Sequence, residues 1–360
     1  MEEKTVISID AMGGAAAPES VVEGVSIVCK KYSDIFILLH GDEKKIISSL
    51  EKFSVPDHMY CIIATEQVVS DDDKPLFAWR NGKESSMRKA IDAVGTKEAH
   101  ACVSCGNTGA LMLIAKMVLG SLGNIKRPAI CASFPTVKNG NTVILDMGAN
   151  TECDEINFFH FALMGSCFAK IILRLENPSI AILNVGIEKT KGRSLEKKAY
   201  TIFDNTDFNF LGFIEANNII EGKADVVVTD GFSGNILLKS SEGAVRIFFD
   251  LLKKASSKNM LTKLGAFLLK RQLKSYMKII DPDKNNGAIL LGVDGIVVKS
   301  HGAAKPSGIA NAIEVAYRLS RAKINETISL KLNEFEKQGI GVNLVSKIKQ
   351  TSAKIFGINK

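Results

Sequence analysis

Short apolar runs rich in β-branched residues alternate with longer, helix-like segments along most of this chain. The runs that we predict to be strands are 5–10, 35–40, 59–63, 100–104, 128–134, 142–146, 179–185, 225–230 and 295–300. The predicted helices are 18–31, 83–95, 107–122, 154–175, 194–203, 232–255 and 306–322. Several strand runs are apolar without alternation, which is typical of parallel strands covered on both faces. The pattern therefore predicts an α/β fold with a mostly parallel sheet.

The composition argues against membrane-spanning and secreted classes. Of the 360 residues, 46% are hydrophobic and 24% are charged, which is ordinary for a globular protein. No stretch approaches about 20 uncharged apolar residues, and the first apolar run, VISI, is too short for a secretory signal. The seven cysteines are scattered and odd in number, as is typical of buried thiols in a reducing compartment. We therefore expect a cytoplasmic protein.

Several catalytic and cofactor motifs are missing from the sequence. Without GxxxxGK[ST] no nucleoside triphosphate loop is predicted, and without GxGxxG after the first strand a dinucleotide site is disfavoured. GxSxG and HExxH are missing as well, so the motifs of serine hydrolases and zinc proteases are not found. Cys102 and Cys105 form a CxxC, but no second Cys or His pair completes a metal site. We expect neither a metal nor a cofactor.

Glycine and small polar residues are concentrated directly after predicted strands. The loops of this kind are 10–18, 104–109, 146–154, 184–192, 230–235 and 300–306. In open α/β sheets, ligands bind beyond the carboxyl ends of the strands, and helix N-termini there favour anions. Loops of this composition facing the same way would form one cleft suited to phosphate. The alternative is that these residues are simply common in turns.

A series of short motifs, taken in order, resembles the bacterial phosphate:acyl-ACP acyltransferases, the PlsX family. The motifs are DAMGG (10–14), SSMRKA (85–90), ACVSCGNTGALM (101–112), RPAI (127–130), LDMGAN (145–150), FALMGSCFAK (161–170), NVG and KG (184–192), ADVVVTDGFSGN (224–235) and KSHG (299–302). The resemblance implies a dimeric three-layer α/β/α enzyme, similar to the isopropylmalate dehydrogenase and phosphate acetyltransferase group. It implies transfer of a long acyl chain from acyl carrier protein to inorganic phosphate, for phospholipid synthesis.

The resemblance covers residues 5 to 322, and we expect an acyltransferase domain at 1–324 and a helical tail at 325–360. The tail sequences ISLKLNEFEKQG and VNLVSKIKQ predict two short helices. Two loops depart from the family pattern. The family usually has Asp where this chain has Ala15, and it tends to Ser and Asp where this chain has Ala303 and Ala304. An acidic group common in the family is therefore missing.

The implied reaction is attack by a phosphate oxygen on a thioester carbonyl, so no activated Ser or Cys is needed. The protein must position phosphate, stabilise the tetrahedral oxyanion and assist departure of the thiolate. We predict Lys191 as the charged contact to phosphate or oxyanion, Asn235 as an oxyanion donor, and His301 as a proton donor to the thiolate or a phosphate ligand. The alternatives are a solvated lysine, a helix cap and a structural histidine.

The predicted phosphate- and substrate-binding residues all lie in or next to the strand-exit loops. They are Asp10, Gly13, Gly14, Ser104, Gly106, Asn107, Thr108, Gly109, Asp146, Asn150, Asp230, Gly231 and Gly234. The backbone N–H groups of 106–109 form the expected phosphate cradle, with donors added by Asn107 and Thr108, unless Asn107 only caps the helix. Asp10 and Asp146 end apolar strands, where we predict that they order the turns rather than act as acid or base.

The segment 251–280 carries eight basic residues and no acidic one, so it accounts for the +7 formal charge of the chain. Lysines mixed with an apolar stripe at helical spacing are typical of a helix that lies in an anionic membrane interface. The residues predicted to dock are Leu261, Leu264, Phe267, Leu268, Lys270, Arg271 and Lys274. Docking of acyl carrier protein, binding of RNA and ordinary core packing are the alternatives, and we expect no nucleic-acid partner.

Two other functions remain open at this stage. A dehydrogenase of the same fold group would need paired metal-binding aspartates and a nicotinamide site, which the sequence does not display. A non-catalytic scaffold that recruits lipid enzymes to the membrane is the other alternative, because Ala15 replaces an acidic residue in the first loop.

Overall fold

The computed structural model describes residues 4–138, 140–277 and 283–339, except that it leaves the side chains of 261 and 270–277 undescribed. The strands are β1 Thr5–Asp10, β2 Ile35–Gly41, β3 Tyr60–Ala64, β4 Ala101–Ser104, β5 Ala129–Pro135, β6 Asn141–Leu145, β7 Ile180–Leu183, β8 Phe210–Ile214, β9 Val226–Val228, β10 Ala288–Leu291 and β11 Ile296–Lys299. The helices are α1 Glu19–Lys31, α2 Glu43–Leu50, α3 Pro75–Asn81, α4 Ser86–Gly95, α5 Thr108–Leu119, α6 Glu155–Ile172, α7 Ser194–Phe203, α8 Ala216–Ile220, α9 Gly231–Ser257, α10 Met260–Met277, α11 Pro306–Arg321 and α12 Ile324–Lys337.

The described strands form one 11-stranded sheet in the order β3-β2-β1-β4-β11-β10-β5-β6-β9-β7-β8. Most neighbours are parallel, so the predicted mostly parallel sheet is confirmed. The antiparallel pairs lie in the middle of the sheet, where β10 pairs with β11 and β5, and β5 pairs with β6. As a result, the block β6-β9-β7-β8 runs opposite to the block β3-β2-β1-β4-β11.

This reversal corrects one prediction from the sequence. The strand-exit loops do not all leave a single edge of one parallel sheet. The loops after β1, β4 and β11 leave one edge, and those after β6, β7 and β9 leave the other. However, neighbouring strands rotate by about 20–25°, so roughly 120–150° of twist accumulates from β1 to β9. A rotation of that size brings the directions of the two oppositely running blocks to within roughly 30–60° of each other.

Helices cover both faces of the sheet, which gives the expected three layers. Residues Ile7 and Ile9 of β1 pack in the same core cluster as α1 and α11, whereas Val6 packs against the cluster that contains α4 and α5. Because alternate residues of a strand point to opposite faces, a strand covered on both sides is apolar throughout. This explains why β1 reads TVISID without a clear alternation.

The first helix of the predicted tail belongs to the main core. α12 begins at Ile324 and buries its apolar stripe in the central cluster, where Phe335 packs edge-on against Phe159 of α6 with ring centroids 5.3 Å apart. This helix therefore packs against its own chain. The second predicted tail helix, at 342–350, lies outside the described residues.

α9 and α10 are consecutive helices that contact each other. The buried residues of α9 are Gly231 and Gly234, both in its first turn. Beyond its first turns α9 exposes large apolar side chains, including Ile247 and Phe248. α10 covers most of the basic segment and exposes Leu264, Phe267 and Leu268. The side chains of Leu261, Lys270, Arg271 and Lys274 lie outside the described part of the chain. Among the described helices, none is long and apolar enough to cross a bilayer.

Candidate active site

Asp10, at the end of β1, holds two of the strand-exit turns together. Its Oδ1 accepts a hydrogen bond from Ser86 Oγ at 2.6 Å, and its Oδ2 accepts one from Ser104 Oγ at 2.7 Å. Burial raises the pKa of this carboxyl group, while the hydroxyl donors act in the opposite direction. A Cβ atom on Gly13 would lie 2.6 Å from both Asp10 Oδ2 and Gly106 N, so this position requires glycine. The buried Asp10 therefore stabilises the turns after β1 and β4 from the interior of the protein.

In the turn after β4, the amide oxygen and the amide nitrogen of the Asn107 side chain both make hydrogen bonds within the protein. Oδ1 accepts from Ala110 N at 3.0 Å and caps α5. Nδ2 donates to the carbonyl oxygens of Ser70, Asp71 and Asp73 at 3.2, 3.0 and 2.8 Å, which holds the 70–73 loop over the turn. With its oxygen and its amide nitrogen both engaged, Asn107 is a cap and a loop anchor. Gly106 N also donates to Ser104 Oγ, at 3.1 Å. The donors that the start of α5 leaves for a ligand are therefore the N–H groups of Thr108 and Gly109 and the exposed Thr108 hydroxyl.

The turn after β11 is joined to the other two turns by backbone hydrogen bonds. Ser300 N donates to Ser104 O at 2.9 Å, and Ala15 N donates to Gly302 O at 2.9 Å. The second bond places Ala15 beside the 303–304 pair, so the two departures from the family pattern are neighbours in space. His301 Nδ1 accepts from Ala303 N at 3.2 Å. In a neutral imidazole this leaves Nε2–H as the donor.

Lys299, the last residue of β11, was not predicted as a site residue. Its ammonium group donates to Cys105 O at 3.3 Å and to Ser300 O. Burial lowers the pKa of Lys299, which the nearby carboxylates of Asp10 and Asp71 oppose. The sequence signal was a lysine at the end of an apolar strand directly before a Ser-His-Gly turn, within a motif already noted.

A second set of turns follows β6, β9 and β7. Asp146 accepts hydrogen bonds from the backbone N–H groups of Ile130, Gly148, Ala149 and Asn150 at 2.7 to 3.1 Å, and from Asn150 Nδ2 at 2.9 Å. Burial raises the pKa of Asp146, and these hydrogen bonds oppose the shift. The carboxylate thus fastens its own turn, as a supporting residue would.

The β9 turn packs directly on the β6 turn. A Cβ atom on Gly234 would lie 1.9 Å from Asp146 O, and one on Gly231 would lie 2.6 Å from Asn150 O. Glycine is therefore required at both positions for α9 to start where it does. The exposed side chain of Asn235 lies over Gly148, where an added Cβ would be 3.4 Å from Asn235 Cβ.

Arg193, which the sequence analysis missed, connects the β7 loop to the start of α9. Its guanidinium pairs with Glu196 and with Asp230, whose Oδ1 accepts from Ser233 N at 2.7 Å as the α9 cap. Both carboxylates are buried; Arg193 donates to Glu196 Oε1, whereas Glu196 Oε2 has no hydrogen-bond partner within the described chain. In the same loop Lys191 is half exposed, and its ammonium lies 3.2 Å from Glu188 Oε1.

The two sets of turns come near one another at Lys299 and α9. Lys239 lies about two turns into α9, in the second set, and is close enough to Lys299 that its charge lowers the Lys299 pKa.

Structural comparison confirms the fold class. A phosphotransacetylase from Streptococcus pyogenes matches with a TM-score of 0.59 at 17% sequence identity, covering 89% of this chain and 94% of that chain. The EutD phosphotransacetylase from Staphylococcus aureus matches with a TM-score of 0.53 at 13% identity, covering 90% and 94%. At such identities the likeness establishes the fold alone.

The sequence relatives establish the family. A phosphate acyltransferase from Rhodospirillum rubrum is 41% identical over 330 residues, which are 91% of this chain and 94% of that protein. A phosphate acyltransferase from Alkaliphilus oremlandii is 42% identical over 323 residues, covering 90% and 96%. The family profile described as fatty acid synthesis protein matches residues 5–327. The resemblance drawn from the motifs is confirmed, and the chain belongs to this fatty acid synthesis protein family, PlsX.

Proposed function

We propose that this protein transfers a fatty acyl group from an acyl carrier protein thioester to inorganic phosphate. The observation that carries the proposal is identity of 41–43% with phosphate acyltransferases over nearly the full length of both chains. A phosphate oxygen attacks the thioester carbonyl, a C–O bond forms and the C–S bond breaks. The proton of hydrogen phosphate is balanced by the one that the thiolate gains, so acyl phosphate and the free thiol of the carrier are the products.

We propose that the space between the two sets of turns is the substrate site. The N–H groups of Thr108 and Gly109 and the Thr108 hydroxyl would bind phosphate oxygens. Lys191 and Asn235 would stabilise the tetrahedral oxyanion, because Lys191 is half exposed and Asn235 is exposed on the two loops that Arg193 connects. His301 would protonate the departing thiolate through Nε2–H, the donor left by the bond from Ala303 N.

Three strand-end carboxylates would support this arrangement rather than react. Asp10 accepts from two serine hydroxyls, Asp146 accepts from its own turn, and Asp230 caps α9 and pairs with Arg193. In each case the oxygens that a substrate would meet already have protein partners. We therefore assign them to the positioning of the glycine turns, including Gly14 beside the β11 turn.

The test of the function is phosphate-dependent release of thiol from an acyl carrier protein thioester, with the acyl phosphate trapped by hydroxylamine. Lys191→Ala should slow turnover by well over tenfold, whereas Lys189→Ala, a change in the same loop, should retain near wild-type turnover. Thiol release that does not depend on phosphate, or an inert mixture, would contradict the proposal.

We further propose that α10 docks on the anionic inner face of the cell membrane. Support comes from Leu264, Phe267 and Leu268, which are all more than half exposed on a helix whose sequence is strongly basic. Replacing these three residues by serine should reduce binding to anionic vesicles. Replacing Leu330, which is 65% exposed on α12, by serine should leave vesicle binding unchanged. Equal vesicle binding by the triple variant would reject docking through α10.

A homodimer is also proposed, with α9 in the interface. Ile247, Phe248 and Leu251 are each at least 60% exposed, and contiguous exposed apolar surface marks interaction sites. Sedimentation of the wild type should give the mass of two chains, and charged residues at Ile247 and Phe248 should shift it towards one chain.

A further inference from the structure

Most described lysines are exposed to solvent, whether or not they pair with an acid as Lys31 does with Glu314. Lys299 differs from them because it is partly buried while no carboxylate of the described residues lies within ion-pair distance of its ammonium. Lys299 lies at the end of β11 and is held by two main-chain carbonyl groups. A desolvated cation without a counter-charge is costly, so a ligand that supplies negative charge would bind there favourably.

The hydrogen-bond count leaves one donor free. An ammonium group has three N–H donors. Two of them are directed to Cys105 O and Ser300 O, and the described residues offer no further acceptor. Those two bonds hold the Lys299 ammonium at the junction of the turns after β4 and β11.

The surrounding charges favour an anion at this junction. Asp10 and Asp71 act on Lys299 only at a distance, as does Lys239 of α9, which pairs with Glu242 at 2.9 Å. The ammonium of Lys299 therefore has no counter-charge at contact distance among the described residues. Asn107 contributes indirectly, since its amide holds the loop that carries Asp71.

We propose that Lys299 is a catalytic residue whose ammonium binds the attacking inorganic phosphate. The inference rests on the proposed function and adds a phosphate ligand that the sequence motifs did not suggest. Lysine is a suitable ligand because it presents a compact point charge to a phosphate oxygen. An anion on the free donor of Lys299 would lie next to Cys105, which precedes the turn at the start of α5.

The test compares Lys299→Met with Lys305→Met. Lys305 lies in the same connection to α11, but its side chain is 78% exposed and it pairs with Asp283. Binding of inorganic phosphate is measured by calorimetry at constant ionic strength without the acyl substrate, and KM for phosphate and for the acyl carrier thioester are measured separately. Lys299→Met should weaken phosphate binding and raise KM for phosphate by about tenfold to a hundredfold, with KM for the thioester nearly unchanged.

The outcomes separate this inference from the proposed function. If the wild type binds phosphate through Lys299 but transfers no acyl group, the function is wrong and the site stands. If Lys299→Met binds phosphate like the wild type, or Lys305→Met weakens binding equally, the inference is wrong. Should the methionine variant fail to fold, Lys299→Gln decides, because it keeps a hydrogen-bond donor for the carbonyl groups but removes the charge. Weakened phosphate binding by a folded glutamine variant supports the inference, and binding equal to that of the wild type refutes it.

Discussion

Replacing Arg193 by methionine removes the cation that two buried carboxylates share. The side chains of Glu196 and Asp230 are only 4% and 3% exposed, and both pair with the Arg193 guanidinium. Methionine keeps most of the aliphatic length, so the substitution removes charge and hydrogen bonds more than it removes packing. In the variant Glu196 loses its ion pair with Arg193. Asp230 loses its ion pair as well, but it still accepts the hydrogen bond from Ser233 N.

The expected loss can be worked out from burial. Removing one partner of a buried ion pair costs about 3–5 kcal/mol because a charge remains buried without compensation. The Arg193 side chain is 59% exposed, so water screens the pair and the cost is reduced. We expect a loss of about 2–3 kcal/mol in the free energy of unfolding at pH 8.

The measurement is denaturant unfolding of the wild type and the variant at pH 8, followed by circular dichroism. Arg80→Met, which removes an exposed arginine of α3, serves as the control and should change stability by less than about 0.5 kcal/mol. A loss below about 0.5 kcal/mol for Arg193→Met would show that the shared cation does not stabilise the two loops.

Two further predictions concern glycine and histidine positions. Gly234→Ala should lower the free energy of unfolding by more than about 2 kcal/mol and remove most of the activity, since its Cβ would lie 1.9 Å from Asp146 O. Gly243→Ala in the same helix is the control: no atom lies within 4 Å of the added Cβ, so this change should stabilise the protein by about 0.5–1 kcal/mol. Unfolding midpoints of the two variants and the wild type check both expectations. Burial lowers the pKa of His40 and His160 to about 4, below the usual 6.5. Below pH 6.5 the unfolded chain therefore binds protons that the folded protein does not. As the pH falls from 6.5 towards 4, each histidine should lower the free energy of unfolding by up to about 3 kcal/mol. His160→Phe should flatten this acid dependence of the unfolding midpoint, and an unchanged pH profile would exclude His160 as a cause.

Much of the fold was predictable because apolar runs of four to six residues bounded by glycine turns are typical of buried β-strands. β1 and α7 lie where the sequence placed them, at Thr5–Asp10 and Ser194–Phe203. β8 and β10 were missed. β8 is interrupted by Gly212 at a φ of 93°, and β10 is only four residues long. Short elements whose stability comes from pairing in the middle or at the edge of a sheet carry little local signal.

The reversal of strand direction was harder to foresee. β10 runs antiparallel to both β11 and β5, so β11 and β5 share one direction and the reversal takes place at the β5–β6 pair. The entry of β10 between β11 and β5 is a long-range pairing that no local pattern encodes. One local signal was available, because the short connection between β5 and β6 contains an Asn-Gly pair, which favours hairpins. A hairpin at that point already implies that the later strands run opposite to the earlier ones.

The candidate site was predictable at its turns and less so at its charged residues. Glycine and strand-end aspartate mark turns by their backbone requirements, so Gly13, Asp10 and Asp146 stand out in the sequence. Arg193 and Lys299 depend on partners that are distant in the chain, and an isolated Lys or Arg next to a glycine turn is ordinarily a solvated side chain. Asn107 fits its local pattern as a cap, but its role as an anchor of the 70–73 loop could only be seen in three dimensions.

We infer that turns from two oppositely directed strand blocks border one phosphate-binding hollow. A crystal structure of the protein soaked in inorganic phosphate tests this inference by locating the bound ion. We expect one tetrahedral ion within about 3 Å of Lys299 Nζ and in contact with the start of α5, on the side that faces α9. A fully occupied ion bound elsewhere, with the space between Lys299 and α9 filled by protein or water, would contradict it.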